Sequence, residues 1–131
     1  MPTDIAVDSC VLIEFFRAVD KSKTLYPRLM KKRCAIYISS IVSYEVRAGL
    51  TEVNRAAWEI LLKQTTVLPF DDREAKMAAD LSIHLRKNRI QIASSDLFIA
   101  ATALTNNLPL ATLNRKHFER INELKLIDGE E

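Results

Sequence analysis

Residues 4–19 read Asp-Ile-Ala-Val-Asp-Ser-Cys-Val-Leu-Ile-Glu-Phe-Phe-Arg-Ala-Val, and the reading of this stretch decides the fold. Asp4–Asp8 is a short β-prone run, and after Ser9 the apolar spacing of Val11–Val19 suits a helix. A strand therefore feeds a helix, with an acid, Asp8, at the seam. The alternation continues downstream. A basic helical stretch over Thr24–Lys32 leads to the apolar run Cys34–Ile38, and Ser39 and Ser40 stand where a helix carrying Glu45 needs a cap. Val53–Lys63 continues as helix and Thr65–Leu68 reads as a strand. Pro69 and Asp71 open a helix of about sixteen residues through Lys87, with Asp71 and Glu74 at capping-box spacing. Arg86–Gln91 is a basic loop, and Ser94 or Ser95 caps a helix through Leu104. Leu108–Thr112 is strand-like, Asn114 begins a short helix, and Lys125–Ile127 makes a small final strand before an acidic tail.

Strands alternating with helices predict an α/β fold with a mainly parallel central sheet and right-handed crossovers. No internal repeat or low-complexity linker interrupts the chain. Its 131 residues, 48% hydrophobic and 27% charged, are expected to form one soluble domain around one core. The net charge of +2 is too small to identify a nucleic-acid binder, so charge distribution carries more information. Lys21, Lys23, Arg28, Lys31, Lys32 and Arg33 form a run without an acid, and Arg86, Lys87 and Arg89 form a second basic group. Either could track a phosphate backbone, or serve as a solvated helix face.

Several chemistries are excluded or disfavoured. Cys10 and Cys34 are the only cysteines, no CxxC pair or signal-like start occurs, and no apolar run approaches a membrane span. A cytoplasmic setting without a membrane is the expectation. His84 and His117 lack helical metal-ligand spacing and read as surface or structural residues. Gly49 and Gly129 are the only glycines, which excludes a P-loop and a dinucleotide fingerprint.

Two acids resist an ordinary explanation. One helical turn either side of Glu45 lie Ile41, Val42, Ala48 and Gly49, and around Asp96 lie Ile92, Ala93, Ile99 and Ala100. Neither acid has a base at helical spacing, and a buried acid needs a partner or a cation. Other acids do have one. Glu59 lies between Arg55 and Lys63, Asp80 between Lys76 and His84, Glu14 precedes Arg17, and Glu119 follows Arg115 and Lys116, all as surface charges would. Asp71 reads as a cap and Asp72 as an exposed first-turn residue.

In a parallel α/β sheet, sites gather outside the carboxyl ends of the strands. Asp8 follows Ile5–Ala6–Val7 and Asn114 follows Leu110–Ala111–Thr112, so both fall at that edge, where Glu45 and Asp96 would arrive on helices. Three carboxylates and one amide could thus share a cleft. Carboxylates about 4 Å apart repel by roughly 4 kcal/mol per pair at an effective dielectric near 20. A hard divalent cation compensates, and oxygen ligands without paired His or Cys favour Mg²⁺ or Mn²⁺. That chemistry suits phosphodiester hydrolysis.

Four blocks then resemble a known family. Ile5–Ala6–Val7–Asp8–Ser9–Cys10–Val11–Leu12–Ile13, Ser43–Tyr44–Glu45–Val46–Arg47–Ala48–Gly49, Ser95–Asp96–Leu97–Phe98–Ile99–Ala100–Ala101 and Leu110–Ala111–Thr112–Leu113–Asn114–Arg115–Lys116–His117–Phe118 follow the order and spacing of PIN-domain ribonucleases of the VapC toxin type. The resemblance implies a three-layer α/β/α PIN fold with four to five strands and Mg²⁺- or Mn²⁺-dependent endoribonuclease activity. It also implies a homodimer and a cognate antitoxin. By position, Asp8, Glu45 and Asp96 match the family's acidic metal-binding residues, and Ser9 and Thr112 match its hydroxyl positions. Arg115 and Lys116 are candidates for contacting substrate phosphate, or surface charges.

Two positions depart from the pattern. Cys10 stands where serine or asparagine is frequent, and Asn114 stands where many members carry a fourth acid. An amide oxygen coordinates without charge, so a second ion should bind more weakly. Each site residue also has a structural reading. Asp8 or Ser9 could cap the first helix, Asp96 could favour a helix amino terminus, and capping is the stronger reading for Asn114. Glu45, in mid-helix, has only a buried hydrogen bond to a backbone amide as its alternative. Among other function classes, a non-cleaving PIN-like RNA- or protein-binding module is suggested by Asn114. A phosphoacceptor receiver would want an acid pair after the first strand, and a haloacid dehalogenase-type phosphatase would want Asp-x-Asp where the chain reads Asp8–Ser9–Cys10.

Overall fold

Residues 4–32 and 34–127 are described in a computed structural model of the chain. Arg33 of the basic run and the acidic tail lie outside them. The expected alternation of strands and helices is present. β1 (Ile5–Val7) leads through Asp8 into α1 (Ser9–Arg17), then α2 (Leu25–Met30), β2 (Ile36–Ser39), α3 (Ser40–Gly49), α4 (Glu52–Lys63) and β3 (Thr65–Leu68). α5 (Asp72–Lys87), α6 (Ser94–Thr105), β4 (Leu110–Ala111), α7 (Arg115–Phe118) and β5 (Leu126–Ile127) complete the order.

The five strands form one sheet in the order β3-β2-β1-β4-β5, and every pairing is parallel. From β1 the chain steps outward through β2 to β3, then returns across the sheet to β4. Right-handed crossovers place α1–α4 on one face and α5–α7 on the other, a three-layer α/β/α arrangement. The reversal lies between β1 and β4, which makes the crevice at their carboxyl ends the topological switch point. Ile5, Val7, Ile36, Ile38, Leu110 and Ala111 are buried on both faces, as central parallel strands require.

Several boundaries shift for identifiable reasons. The first helix begins at Ser9 because Asp8 caps it, and it stops at Arg17, leaving Val19 fully exposed rather than in the apolar stripe. Lys21 Nζ donates to the carbonyls of Phe15, Phe16 and Ala18 at 3.0–3.2 Å, so this member of the basic run closes the carboxyl end of α1. Glu14 accepts from Leu25 N–H at 3.0 Å and thereby joins α1 to α2 instead of facing Arg17 as a surface charge. Glu59 pairs with Arg47 across α3 and α4 at 3.7 Å, while Arg55 turns to Glu52. Ser39, not Ser40, caps α3 through Val42 N–H. The cap position of α6 is Ala93, so Ser94 and Ser95 already lie in its first turn. The capping box at α5 closes as read from the sequence, with Asp71 N–H donating to Glu74 Oε1 at 2.9 Å.

Candidate active site at the switch point

Asp8 is held by hydrogen bonds because the chain supplies donors to both its oxygens. It is 2% exposed. Its Oδ1 accepts from the backbone N–H of Ser9 at 2.8 Å, which uses an orphan donor of the α1 amino terminus. Its Oδ2 accepts from Thr112 Oγ1 at 2.8 Å and from Cys10 Sγ at 3.1 Å. The capping reading and the site reading of Asp8 are therefore compatible. One carboxylate closes a helix and fixes its own rotamer at the switch point.

Thr112 reaches Asp8 because β4 lies beside β1, with Asp8 N–H donating to Ala111 C=O at 2.9 Å. Its hydroxyl also accepts from Asn114 N–H at 2.9 Å, turning the chain sharply into α7. Cys10 joins the same network. Its thiol accepts from Leu113 N–H at 3.3 Å and lies 3.6 Å from Thr112 Oγ1. Burial, reinforced by the charge of Asp8, pushes the Cys10 thiol up to about 12, so it stays a neutral donor at physiological pH. A residue read from the sequence as a mild departure thus stitches the first block to the last.

Asp96 occupies the first turn of α6 with its side chain 20% exposed. Burial and then the charge of Asp8 raise its carboxyl above the ordinary range, against the opposing pull of His117. The two carboxylates therefore sense each other across the crevice. The expectation that Asp96 lacks a basic partner is corrected: His117 Nδ1 lies 3.3 Å from Asp96 Oδ2. Helical spacing could not reveal this pair, because His117 comes from α7. The available signal was its place beside Phe118, which is fully buried and pins that short helix.

Glu45 stands half-buried in the middle of α3, which packs against α6. Its Oε1 is buried and has no hydrogen-bond partner. The backbone-amide bond that was its structural alternative is therefore not made at that oxygen. Its apolar surroundings are one-sided, since Val42 is buried but Ala48 and Gly49 are exposed. Asn114 sits at the cap position of α7, yet its side chain makes no capping bond; its backbone C=O accepts from His117 N–H at 2.9 Å. The preferred capping role of its amide is thus corrected, and the exposed side chain is left beside the crevice. Arg115 and Lys116 are also exposed there, while Ser9 is half-buried.

Does this donor set fit a divalent cation? Asp8 and Asp96 repel each other, and an unpartnered buried carboxylate oxygen is costly unless a cation or water meets it. The principal donors are hard oxygens, as Mg²⁺ and Mn²⁺ prefer. Among the described residues, however, no group of three or more His, Cys, Asp or Glu is preassembled around one ion position. The chemistry fits, with Asp8 and Asp96 as the electrostatically coupled pair and Glu45 as a further acid rather than part of a ready-made triad.

A parallel α/β/α domain with an acidic crevice at its switch point is the class that fold and site define. The PIN domain family matches residues 5–124. Over 99 residues the chain is 40% identical to "Ribonuclease VapC" of Rickettsia bellii, covering 70% of this chain and 74% of that protein. It is 32% identical over 127 residues to "Ribonuclease VapC1" of Methanocaldococcus jannaschii, covering 95% and 87%. The structure also superposes on VapBC2 from Rickettsia felis, solved bound to a promoter DNA fragment, with a TM-score of 0.83 and 26% identity over 95% of this chain and 98% of that one. The chain belongs to the PIN-domain family and, within it, to the VapC ribonucleases.

Proposed function

We propose that the chain is a divalent-metal-dependent endoribonuclease that hydrolyses RNA phosphodiester bonds, acting in the cytoplasm as the toxin of a toxin–antitoxin pair. The observations that carry the metal reading are the raising of Asp96 by Asp8 at the switch point and the unpartnered buried oxygen of Glu45 on α3, the helix packed against α6. Family membership supports the nuclease activity, and the toxin–antitoxin neighbour supports an antitoxin partner. Asp8, Asp96 and Glu45 would hold Mg²⁺ or Mn²⁺, with Asn114 able to add a neutral oxygen. When bound, the cation polarises the phosphodiester and acidifies the attacking water.

The chain's own groups perform the remaining work. Ser9 N–H, Thr112 Oγ1 and Cys10 Sγ lock the Asp8 carboxylate in one orientation, so no rotamer must be selected when substrate arrives. Glu45 would hold the cation or, instead, position the attacking water, while Arg115 and Lys116 supply exposed cationic contacts for RNA phosphate. Tyr44, Val53 and Ile60 leave apolar surface on α3 and α4, suited to the antitoxin or to a second copy in a homodimer. No described helix is long and apolar enough to cross a membrane.

A specific observation favours a second reading, a non-cleaving RNA- or protein-binding module: Asn114 adds no charge, and among the described residues no three-member metal group is preassembled. Incubating purified chain with RNA in Mg²⁺ or in chelator decides between them. Metal-dependent cleavage abolished by Asp8→Asn is the expected result. RNA retention without cleavage would establish the binding module instead.

A further inference from the structure

We propose that His117 is a positioning residue that holds the Asp96 carboxylate in the orientation needed for the divalent cation, an inference resting on Asp96 as a metal ligand. His117 Nδ1 lies 3.3 Å from Asp96 Oδ2, so an Nδ1–H there restrains the carboxylate through one of its two oxygens. Asp8 has three donors for this purpose, two from the adjoining Ser9 and Cys10 and one, Thr112, from beyond β4. For Asp96 the orienting donor comes from α7.

The backbone around His117 is built to hold that donor in place. His117 N–H bonds to Asn114 C=O at 2.9 Å within the α7 turn, and Phe118 beside it is fully buried. Just beyond α7, Arg120 Nη1 donates to Gln91 C=O at 3.1 Å, fastening this segment to the loop that enters α6. Two tethers therefore join the α7 region to the start of α6, and the His117–Asp96 bond is the one that ends on the site. An ordinary surface ion pair would lack this support. The His117 side chain is 55% exposed, which by itself predicts a negligible contribution to stability. Its effect should instead appear in metal binding, where a partner orienting a ligand is worth about 10–100-fold in affinity.

The test is titration of Mn²⁺ into the metal-free chain, followed by the electron paramagnetic resonance of free Mn²⁺. His117→Ala should weaken Mn²⁺ binding by about tenfold with the far-ultraviolet circular dichroism unchanged. His117→Asn, whose amide nitrogen falls near the Nδ1 position, should recover most of that affinity, whereas His117→Gln, which reaches toward the Nε2 position, should not. In cleavage assays the same loss should appear as a raised Mg²⁺ requirement with kcat retained at saturating Mg²⁺. Parent-like Mn²⁺ affinity in His117→Ala, together with lost binding in Asp96→Asn, would overturn the positioning role and leave the Asp96 assignment intact. Parent-like binding in Asp96→Asn would overturn the assignment and the positioning role with it.

Discussion

The amino terminus of α5 and the crevice between β1 and β4 both hold acids away from water, and they do so in opposite ways. At α5, Glu74 is 2% exposed and its carboxylate accepts from the backbone of Asp71. Burial pushes its pKa up, but the backbone N–H groups of Asp71 and Glu74, with Arg73 alongside, hold it below the usual carboxylate range. At the crevice, burial and the charge of Asp8 leave Asp96 raised, and on α3, packed against α6, Glu45 has a buried oxygen without a partner. The same residue chemistry is complete at one place and incomplete at the other. A satisfied acid explains itself as structure, whereas an unsatisfied cluster asks for something from outside the chain.

The largest effect should come from the crevice. Asp8→Asn should lower RNA cleavage by more than about 100-fold, the upper end for losing a mere supporting partner of a metal ligand. A folded variant that cleaves at the parental rate would erase the contrast with α5. Next comes the capping box, where Glu74→Ala should cost about 1–2 kcal/mol in urea unfolding at neutral pH with little change in metal affinity. Because the folded pKa of Glu74 is lowered, its stabilisation is present above the unfolded value of 4.5 and is lost as pH falls through the folded value. The Glu74→Ala deficit should therefore shrink in acid. A deficit that grew on acidification would contradict the assignment.

A smaller effect of opposite sign is expected at Asp96. In chelator at neutral pH, Asp96→Asn should raise the urea midpoint, since it removes a charge that burial and Asp8 disfavour. A fall in the midpoint would show that the pair with His117 outweighs both. The smallest change concerns Asn114. Asn114→Asp should tighten Mn²⁺ binding by a few-fold through an added exposed charge, on the order of the 0.2–1 kcal/mol of surface electrostatics. An unchanged affinity would place that side chain outside the ion's reach.

How legible this comparison is in the sequence depends on how local each interaction is. The capping box needs only the spacing of Asp71 and Glu74, so one pattern gives both residues and their roles. The parallel α/β architecture is also legible, because each β-prone run and each apolar helical stripe signals its own element. Glu45 and Asp96 can be singled out for having no base at helical spacing, and ordered family blocks add Asp8. The contacts that complete the crevice are not local. Cys10 meets Thr112 across 102 residues, and His117 meets Asp96 from a different helix, so neither pairing leaves a periodic trace. The same reason hides Glu14 on Leu25 and Arg47 on Glu59. Helix starts shift by a residue or two wherever the cap is settled in three dimensions, as with Ala93 in place of Ser94 or Ser95.

The central claim is that the crevice, unlike the α5 terminus, is completed by a divalent cation. Thermal unfolding of the parent chain with and without Mg²⁺, beside Asp8→Asn under the same conditions, tests it most directly. At about one hundred times the dissociation constant, a ligand of the native state adds roughly 2.7 kcal/mol. For a domain of this size that corresponds to a rise in Tm on the order of 10 °C. The account predicts that rise in the parent and its loss in Asp8→Asn. An unchanged parental Tm at every Mg²⁺ concentration up to tens of millimolar, or an equal rise in both chains, would contradict it.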